Sequence, residues 1–212
     1  MKIFGFIPAR MAASRFPGKP LKKILGTPMI EHVYIRASFY KRWEKLFVAG
    51  CDPEIKIFCN NKDIPYIDTS KKHQRCLDRI YEAAYKKRKL ISDKDLILCV
   101  QGDEPMLRPE MITNCIKPFY KGKNIKATVL AMNIIGKEQY SDPNIVKIIH
   151  DENDEVLYTS RSPIPYSKKF YKGLGAKRIY GIFAFKWSFL KKFYFTKESF
   201  LEKVESCDSN RI

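Results

Sequence analysis

Apolar residues along the first hundred positions come in short dense runs, and stretches with helical spacing separate them. Residues 3–7 form one such run, closed by Pro8, which is the pattern of a strand buried on both faces. Residues 46–50 and 95–100 repeat it, and 64–67 gives a shorter version. Between them, 29–40 carries apolar side chains at helical spacing behind Pro28, 53–60 reads as a short helix, and 74–88 is amphipathic with Ile80, Ala83 and Ala84 on one side. Strand and helix alternate throughout, which predicts an α/β fold with a Rossmann-like, mostly parallel sheet flanked by helices. Ligands of such sheets lie beyond the carboxyl ends of the strands. The loop after Ile7 and the loop after Val100 both fall at such ends.

The second half has a different texture. Residues 127–134 and 145–149 look extended, 151–154 is a polar turn, and 156–159 completes a hairpin. Pro163 and Pro165 impose an irregular stretch, with Gly173 and Gly175 beyond it, before a strand over 179–186 and a helix over 187–195. Repeats, low-complexity tracts and flexible linkers are absent from the sequence, so we expect one domain over 1–212, with 130–180 as a hairpin and irregular subregion.

Composition changes this picture little. A chain of 212 residues that is 45% hydrophobic supports a sizeable core. The net charge of +17 invites a nucleic-acid reading. The lysines are dispersed in pairs, however, and neither zinc-finger spacing nor an RRM-type aromatic signature accompanies them, so the expectation is an enzyme of anionic substrates with no nucleic acid as partner. The six cysteines lack CxxC spacing, the amino terminus enters a strand directly, and no apolar run reaches membrane-span length. A cytoplasmic protein with reduced thiols and no membrane partner is the expectation.

The chemistry concentrates first in residues 3–22. After the strand come Pro8, Ala9, Arg10, Arg15 and Lys19 among small residues, with the turn signal Pro17-Gly18. Small side chains let backbone approach a ligand, and several cations on one loop suit a triphosphate. This is not a Walker A loop, because position 13 is Ala and Lys19 precedes Pro20. A basic surface loop after an edge strand has the same spacing. Asp103, in Val100-Gln101-Gly102-Asp103-Glu104-Pro105, is a carboxylate suited to Mg²⁺, while a polar turn closing a strand explains a lone Gly-Asp equally.

The fifteen residues Ile7-Pro8-Ala9-Arg10-Met11-Ala12-Ala13-Ser14-Arg15-Phe16-Pro17-Gly18-Lys19-Pro20-Leu21 closely resemble the signature loop of the sugar-acid cytidylyltransferases, in particular the 3-deoxy-manno-octulosonate (Kdo) family. Gln101 to Pro105 also matches, as do Thr69-Ser70-Lys71-Lys72-His73-Gln74 and Ser160-Arg161-Ser162-Pro163-Ile164-Pro165-Tyr166. The resemblance implies a nucleotidyltransferase fold with a hairpin insertion for dimerisation. The implied reaction is CTP plus Kdo giving CMP-Kdo and pyrophosphate, with Mg²⁺ as cofactor, a homodimer as assembly and lipopolysaccharide synthesis as destination. It assigns Arg10, Lys19 and Asp103 to catalysis, Asp103 also as metal ligand. Pro8, Ala9, Arg10, Arg15, Lys19, Thr69, His73 and Gln74 fall to the nucleotide, and Gln101, Arg161, Phe183 and Glu205 to the sugar acid.

Several positions depart from the family pattern. Arg75-Cys76-Leu77 replaces Ser-Gly-Thr, adding bulk where backbone approach is expected. Gly50-Cys51 replaces Thr-Asp. Ile179 and Phe183 stand where His and Tyr are usual, and Ser209 where Gln is expected after Glu205. The family continues beyond Ile212 through an Asp-Thr-Pro-Glu-Asp-Leu motif that supplies a second metal ligand. These departures keep two alternatives open: a cytidylyltransferase for another acidic or amino-modified sugar, and a truncated nucleotide-binding pseudoenzyme.

Overall fold

The computed structural model of the chain describes residues 1–12, 16–121 and 124–211. Arg15, one of the expected triphosphate contacts, lies outside the described residues. In chain order, β1 (Ile3–Pro8) is followed by a 3₁₀ turn (Lys19–Leu21), β2 (Lys23–Ile24), β3 (Thr27–Pro28), α1 (Met29–Ser38), β4 (Lys45–Gly50) and α2 (Pro53–Asn61). Next come β5 (Tyr66–Asp68), α3 (Cys76–Lys86), β6 (Leu96–Val100), α4 (Pro109–Ile116), β7 (Ala127–Asn133) and α5 (Lys137–Ser141). The last elements are β8 (Lys147–His150), β9 (Val156–Ser160), β10 (Lys177–Lys186), α6 (Trp187–Phe195) and α7 (Phe200–Glu205).

The chain forms two compact units, Met1–Thr128 with Gly181–Phe195, and Val129–Tyr180 with Thr196–Ile212. Strands β7 and β10 run from one into the other. In the first unit the strand order is β5-β4-β1-β6-β10. The first four are parallel, and β10 closes the set antiparallel to β6 with Phe183 opposite Cys99. The sheet is mostly parallel because helices return the chain between β1, β4, β5 and β6. Strand β6 is buried along its whole length and β1 as far as Ile7, as their unbroken apolar runs require. Helix α3 covers β1, β4 and β6, while α2 lies on β4 and β5. Trp187 and Tyr194 of α6 stack on Tyr81 of α3 at ring separations of 5.6 and 3.9 Å.

In the second unit β8 pairs antiparallel with β9, Lys147 opposite Ser160, and the amino-terminal end of β10 joins β8. The expected hairpin forms, but β8 starts two residues late. Ile145 donates its N–H to the Asp142 carbonyl and so closes a turn rather than a ladder. Strand β5 is likewise displaced from 64–67, because Ile64 N–H bonds the Cys59 carbonyl and finishes α2. Tyr140, Ile134 and Ala176 make a small core with Phe170 and Leu174 packed against it.

Candidate functional site

The carboxyl ends of β1 and β6 meet at Gly102. A Cβ at that position would lie 2.6 Å from the Pro8 carbonyl oxygen, so only glycine lets the two ends come this close. Past Pro8, which is partly exposed, Ala9 is buried and its N–H donates to the Ala49 carbonyl at 2.9 Å. Arg10 projects into solvent. The Met11 N–H donates to Asp52 Oδ2 at 2.8 Å, and the Met11 carbonyl accepts the Gly18 N–H at 2.9 Å. Gly18 adopts φ of 72°, the left-handed conformation that glycine takes without penalty. It turns the chain into the 3₁₀ segment headed by Lys19. From there the Lys19 ammonium reaches Asp103 Oδ2 at 2.8 Å.

Two residues from separate loops, 84 positions apart, are thus brought into direct contact. Both side chains stay partly exposed, so the pair adds little to stability and both groups remain available to a ligand. Next to them, the Gln101 N–H bonds the Gly181 carbonyl at 2.8 Å and its side-chain nitrogen faces Cys76 Sγ at 3.9 Å. Phe183 is a core residue of β10.

The segment carrying Thr69, His73 and Gln74 is held from below by α3. Thr69 is buried, with its N–H and hydroxyl both donating to the Gly50 carbonyl at 2.7 and 2.8 Å. Arg79 is buried too. Its guanidinium donates to Thr69 Oγ1, to the Ser70 carbonyl at 3.3 Å and to the His73 carbonyl at 3.4 Å. One turn along the helix, Glu82 Oε2 accepts the Ser70 N–H at 2.8 Å and bonds His73 Nε2, while its other oxygen pairs with Lys86 at 2.9 Å. Gln74 itself is exposed.

Burial pushes the Glu82 carboxyl up, but hydrogen bonds from Lys86, the Ser70 N–H and His73 outweigh it and hold the group below its ordinary value. A lowered carboxylate contributes stability that is complete above the ordinary value and is lost as pH falls through the folded one. Protection of the Ser70 amide from hydrogen exchange is therefore expected to be flat from pH 7 to about 5 and to fall below about pH 4. Glu82→Gln is expected to lower that protection at neutral pH and to flatten the profile; an unchanged profile in the variant would remove Glu82 as the anchor.

Asp52, Arg79 and Glu82 are absent from the sequence-based assignment. Asp52 carried a signal, since Asp before Pro marks a helix start. Its carboxylate serves the loop backbone at Met11 instead of capping α2. Arg79 and Glu82 are spaced i, i+3 on one helix face, a common arrangement that says nothing of the loop above it.

In the second unit, Arg161 follows β9 and Glu205 ends α7. Glu205 Oε1 accepts from the Tyr158 and Ser160 hydroxyls at 2.8 and 2.6 Å, and Oε2 from the Arg161 N–H at 2.8 Å. The guanidinium of Arg161 donates to the carbonyls of Glu205 (2.8 Å), Pro143 (2.8 Å) and Ser206 (3.4 Å). Three of its donors fix its orientation, and a guanidinium has five N–H groups in all. Burial raises the Glu205 carboxyl, yet these hydrogen bonds win and it lies below its ordinary value.

Among the described residues, His, Cys, Asp and Glu side chains do not gather in groups of three or more that would hold a metal. No helix of the described residues is long and apolar enough to cross a membrane.

A mostly parallel sheet with a basic, glycine-turned loop and a carboxylate at adjoining strand ends is the architecture of a nucleotidyltransferase. The chain belongs to the cytidylyltransferase family, which it matches over residues 4–212. Among curated relatives, the 3-deoxy-manno-octulosonate cytidylyltransferase of Fusobacterium nucleatum is 38% identical over 212 residues, covering 100% of this chain and 84% of the relative. That of Oleidesulfovibrio alaskensis is 35% identical over 210 residues, covering 99% and 83%. A solved CMP:2-keto-3-deoxy-manno-octonic acid synthetase in complex with CTP superposes with a TM-score of 0.87 at 31% identity, covering 100% of this chain and 85% of that one.

Proposed function

We propose that the protein transfers a cytidylyl group from CTP to Kdo, giving CMP-Kdo and pyrophosphate. The observation that carries this reading is the Lys19–Asp103 contact of 2.8 Å where β1 and β6 end, in a chain whose relatives bear that activity in their names. The anomeric hydroxyl oxygen of the sugar bonds to the α-phosphorus and gives its proton to solvent, while the bond from that phosphorus to the bridging oxygen breaks and its electron pair leaves on pyrophosphate. Such chemistry asks mainly for positioning and for stabilisation of charge. Lys19 and Arg10 supply fixed positive charge to the triphosphate, and the Asp52 bond at Met11 holds the loop backbone in place. Thr69, His73 and Gln74 border the nucleotide on a segment that Arg79 and Glu82 keep rigid. Arg161, steadied by Glu205, offers its remaining donors to a carboxylate.

Asp103 is the residue that would hold Mg²⁺. An exposed carboxylate suits this ion, which takes one or two carboxylates and completes its shell with phosphate oxygens and water. When bound there, the cation would neutralise charge on the departing pyrophosphate. A cytoplasmic homodimer serving lipopolysaccharide synthesis accompanies this reading. Sedimentation of dilute protein checks the dimer.

Pyrophosphate release from CTP, Kdo and Mg²⁺ tests the function. Turnover with Kdo and none with CTP alone is expected. Turnover with a sialic-type acid instead would move the protein to another sugar, and CTP binding without turnover of any sugar acid would make it a pseudoenzyme. The same assay tests the strand-end contact. In Gly102→Ala the new methyl group would press on the Pro8 carbonyl and separate Lys19 from Asp103, and a loss of about 100-fold is expected from such a displacement. Full activity of the variant would show that the two ends need not touch.

A further inference from the structure

Lys147 is a fully buried cation that the reaction outlined above does not use. It stands in β8 opposite Ser160 of β9, in a strand otherwise apolar until His150. Its ammonium group donates to the carbonyls of Asp142 at 2.8 Å, Ile145 at 2.7 Å and Arg161 at 2.7 Å. An ammonium has three donors, and all three are spent on backbone oxygens. Burial lowers its pKa, and the nearby Asp142 carboxylate works the other way. A buried ion held by neutral carbonyls is costly unless geometry compensates, so what these three carbonyls have in common matters.

Two of them belong to one short loop, 142–145. Asp142 stiffens that loop further, since its Oδ1 accepts the Asn144 N–H at 2.7 Å. The carbonyl between them, of Pro143, accepts Nη1 of Arg161 at 2.8 Å. The third Lys147 partner is the carbonyl of Arg161 itself. Lys147 thus fixes both the backbone of Arg161 and the loop that receives its guanidinium. Glu205 completes the enclosure by taking the Arg161 N–H.

We propose that Lys147 is a positioning residue for Arg161, setting how tightly the protein binds the carboxylate of its sugar acid without touching that ligand. Without the ammonium, the loop carbonyls and the Arg161 carbonyl turn towards other donors, and the guanidinium loses the Pro143 oxygen that orients it. The chain keeps its positive charge at Arg161 but presents it in the wrong direction. This inference rests on Arg161 as the sugar-acid contact of the reaction proposed above.

The test is steady-state kinetics of pyrophosphate release by wild type, Lys147→Met, Lys147→Gln, Arg161→Ala and the Lys147→Met/Arg161→Ala double variant, with Kdo and CTP varied in turn. The expected result for Lys147→Met is a KM for Kdo raised about tenfold or more, the scale of a misplaced binding group, with the KM for CTP within about twofold. Lys147→Gln, which can still donate to two carbonyls, is expected to lie between. The double variant is expected to match Arg161→Ala, because the two act through one group. A purely structural lysine would lower the active fraction, and hence apparent kcat, with both KM values intact. That outcome overturns the proposal, as does a double variant in which the two effects multiply. If Lys147→Met fails to fold, the Gln variant carries the same comparison. Should Arg161→Ala leave the KM for Kdo unchanged, the sugar-acid assignment of Arg161 falls and this proposal with it. Wild type inert towards Kdo would instead remove the proposed reaction.

Discussion

Asp103→Asn is expected to reduce pyrophosphate release by about 10²–10³-fold, the usual effect of deleting one preorganised electrostatic group from a reacting site. The substitution keeps shape and removes charge. Because the carboxylate is partly exposed and its pair with Lys19 is at the surface, little stability rests on it, and the melting temperature of the variant should stay within about 1–2 °C of wild type. Activity and stability therefore separate at this residue. Isothermal titration supplies a second readout: CTP in the presence of Mg²⁺ should bind more weakly to Asp103→Asn, while CTP in EDTA should bind as well or better, since Lys19 is then free of its partner. Unchanged Mg²⁺-dependent turnover in the variant would remove Asp103 from the metal assignment. Lys19→Ala completes the comparison, because it takes away triphosphate contact while leaving the carboxylate, and should weaken CTP under both conditions.

The convergence of the two loops was legible in the sequence. Strands buried on both faces leave no polar residues in their runs, so β1, β4 and β6 stand out, and the chemistry of an α/β sheet gathers at their carboxyl ends. The loop after β1 and the Gly-Asp after β6 could be brought to one edge of the sheet on that ground, while the pairing of Lys19 with Asp103 came from the structure. Other features lay out of reach. Lys147 interrupts an apolar run over 145–149, but its partners are backbone carbonyls, which carry no sequence signal. Arg79 and Glu82 sit on an amphipathic helix where charged residues normally face water; only the path of residues 69–73 over α3 makes them supports of the loop. Some features carry a sequence signal of their own. Pro109 at the first turn, with Ile112, Cys115 and Ile116 on one face, marks α4, and Ser199 three residues before Glu202 is a capping-box pattern for α7. Helix α5 is five residues long, too short for periodicity to register.

The largest stability effect is expected from the buried pair Glu202–Arg211. The guanidinium meets the carboxylate in fork-to-fork fashion, Nε to Oε2 at 2.7 Å and Nη2 to Oε1 at 2.6 Å, with side-chain exposures of 3% and 0%. Taking away Glu202 leaves the Arg211 guanidinium buried with the more distant Glu198 carboxylate, 3.9 Å from Nη2, in place of the fork, so Glu202→Ala is expected to cost about 3–5 kcal/mol. For a chain of this size that corresponds to a fall in melting temperature of roughly 6–20 °C by calorimetry. The pair does more than hold itself. It ties α7 to the turn that follows, where Asn210 Oδ1 accepts from the Thr159 hydroxyl at 2.6 Å and Asn210 Nδ2 donates to the Thr159 carbonyl at 3.0 Å. Thr159 stands two residues before Arg161, and α7 ends in the Glu205 that receives the Arg161 N–H. Loss of the pair is therefore expected to raise hydrogen exchange at the Thr159 and Arg161 amides before the rest of the chain. The double variant Glu202→Met/Arg211→Met distinguishes a structural requirement for charge from one for packing. Removing both ions together avoids the uncompensated charge, and stability should return to within about 1–2 kcal/mol of wild type. A double variant as unstable as Glu202→Ala would show that the geometry of the fork, not the burial of an unpaired ion, holds α7 in place.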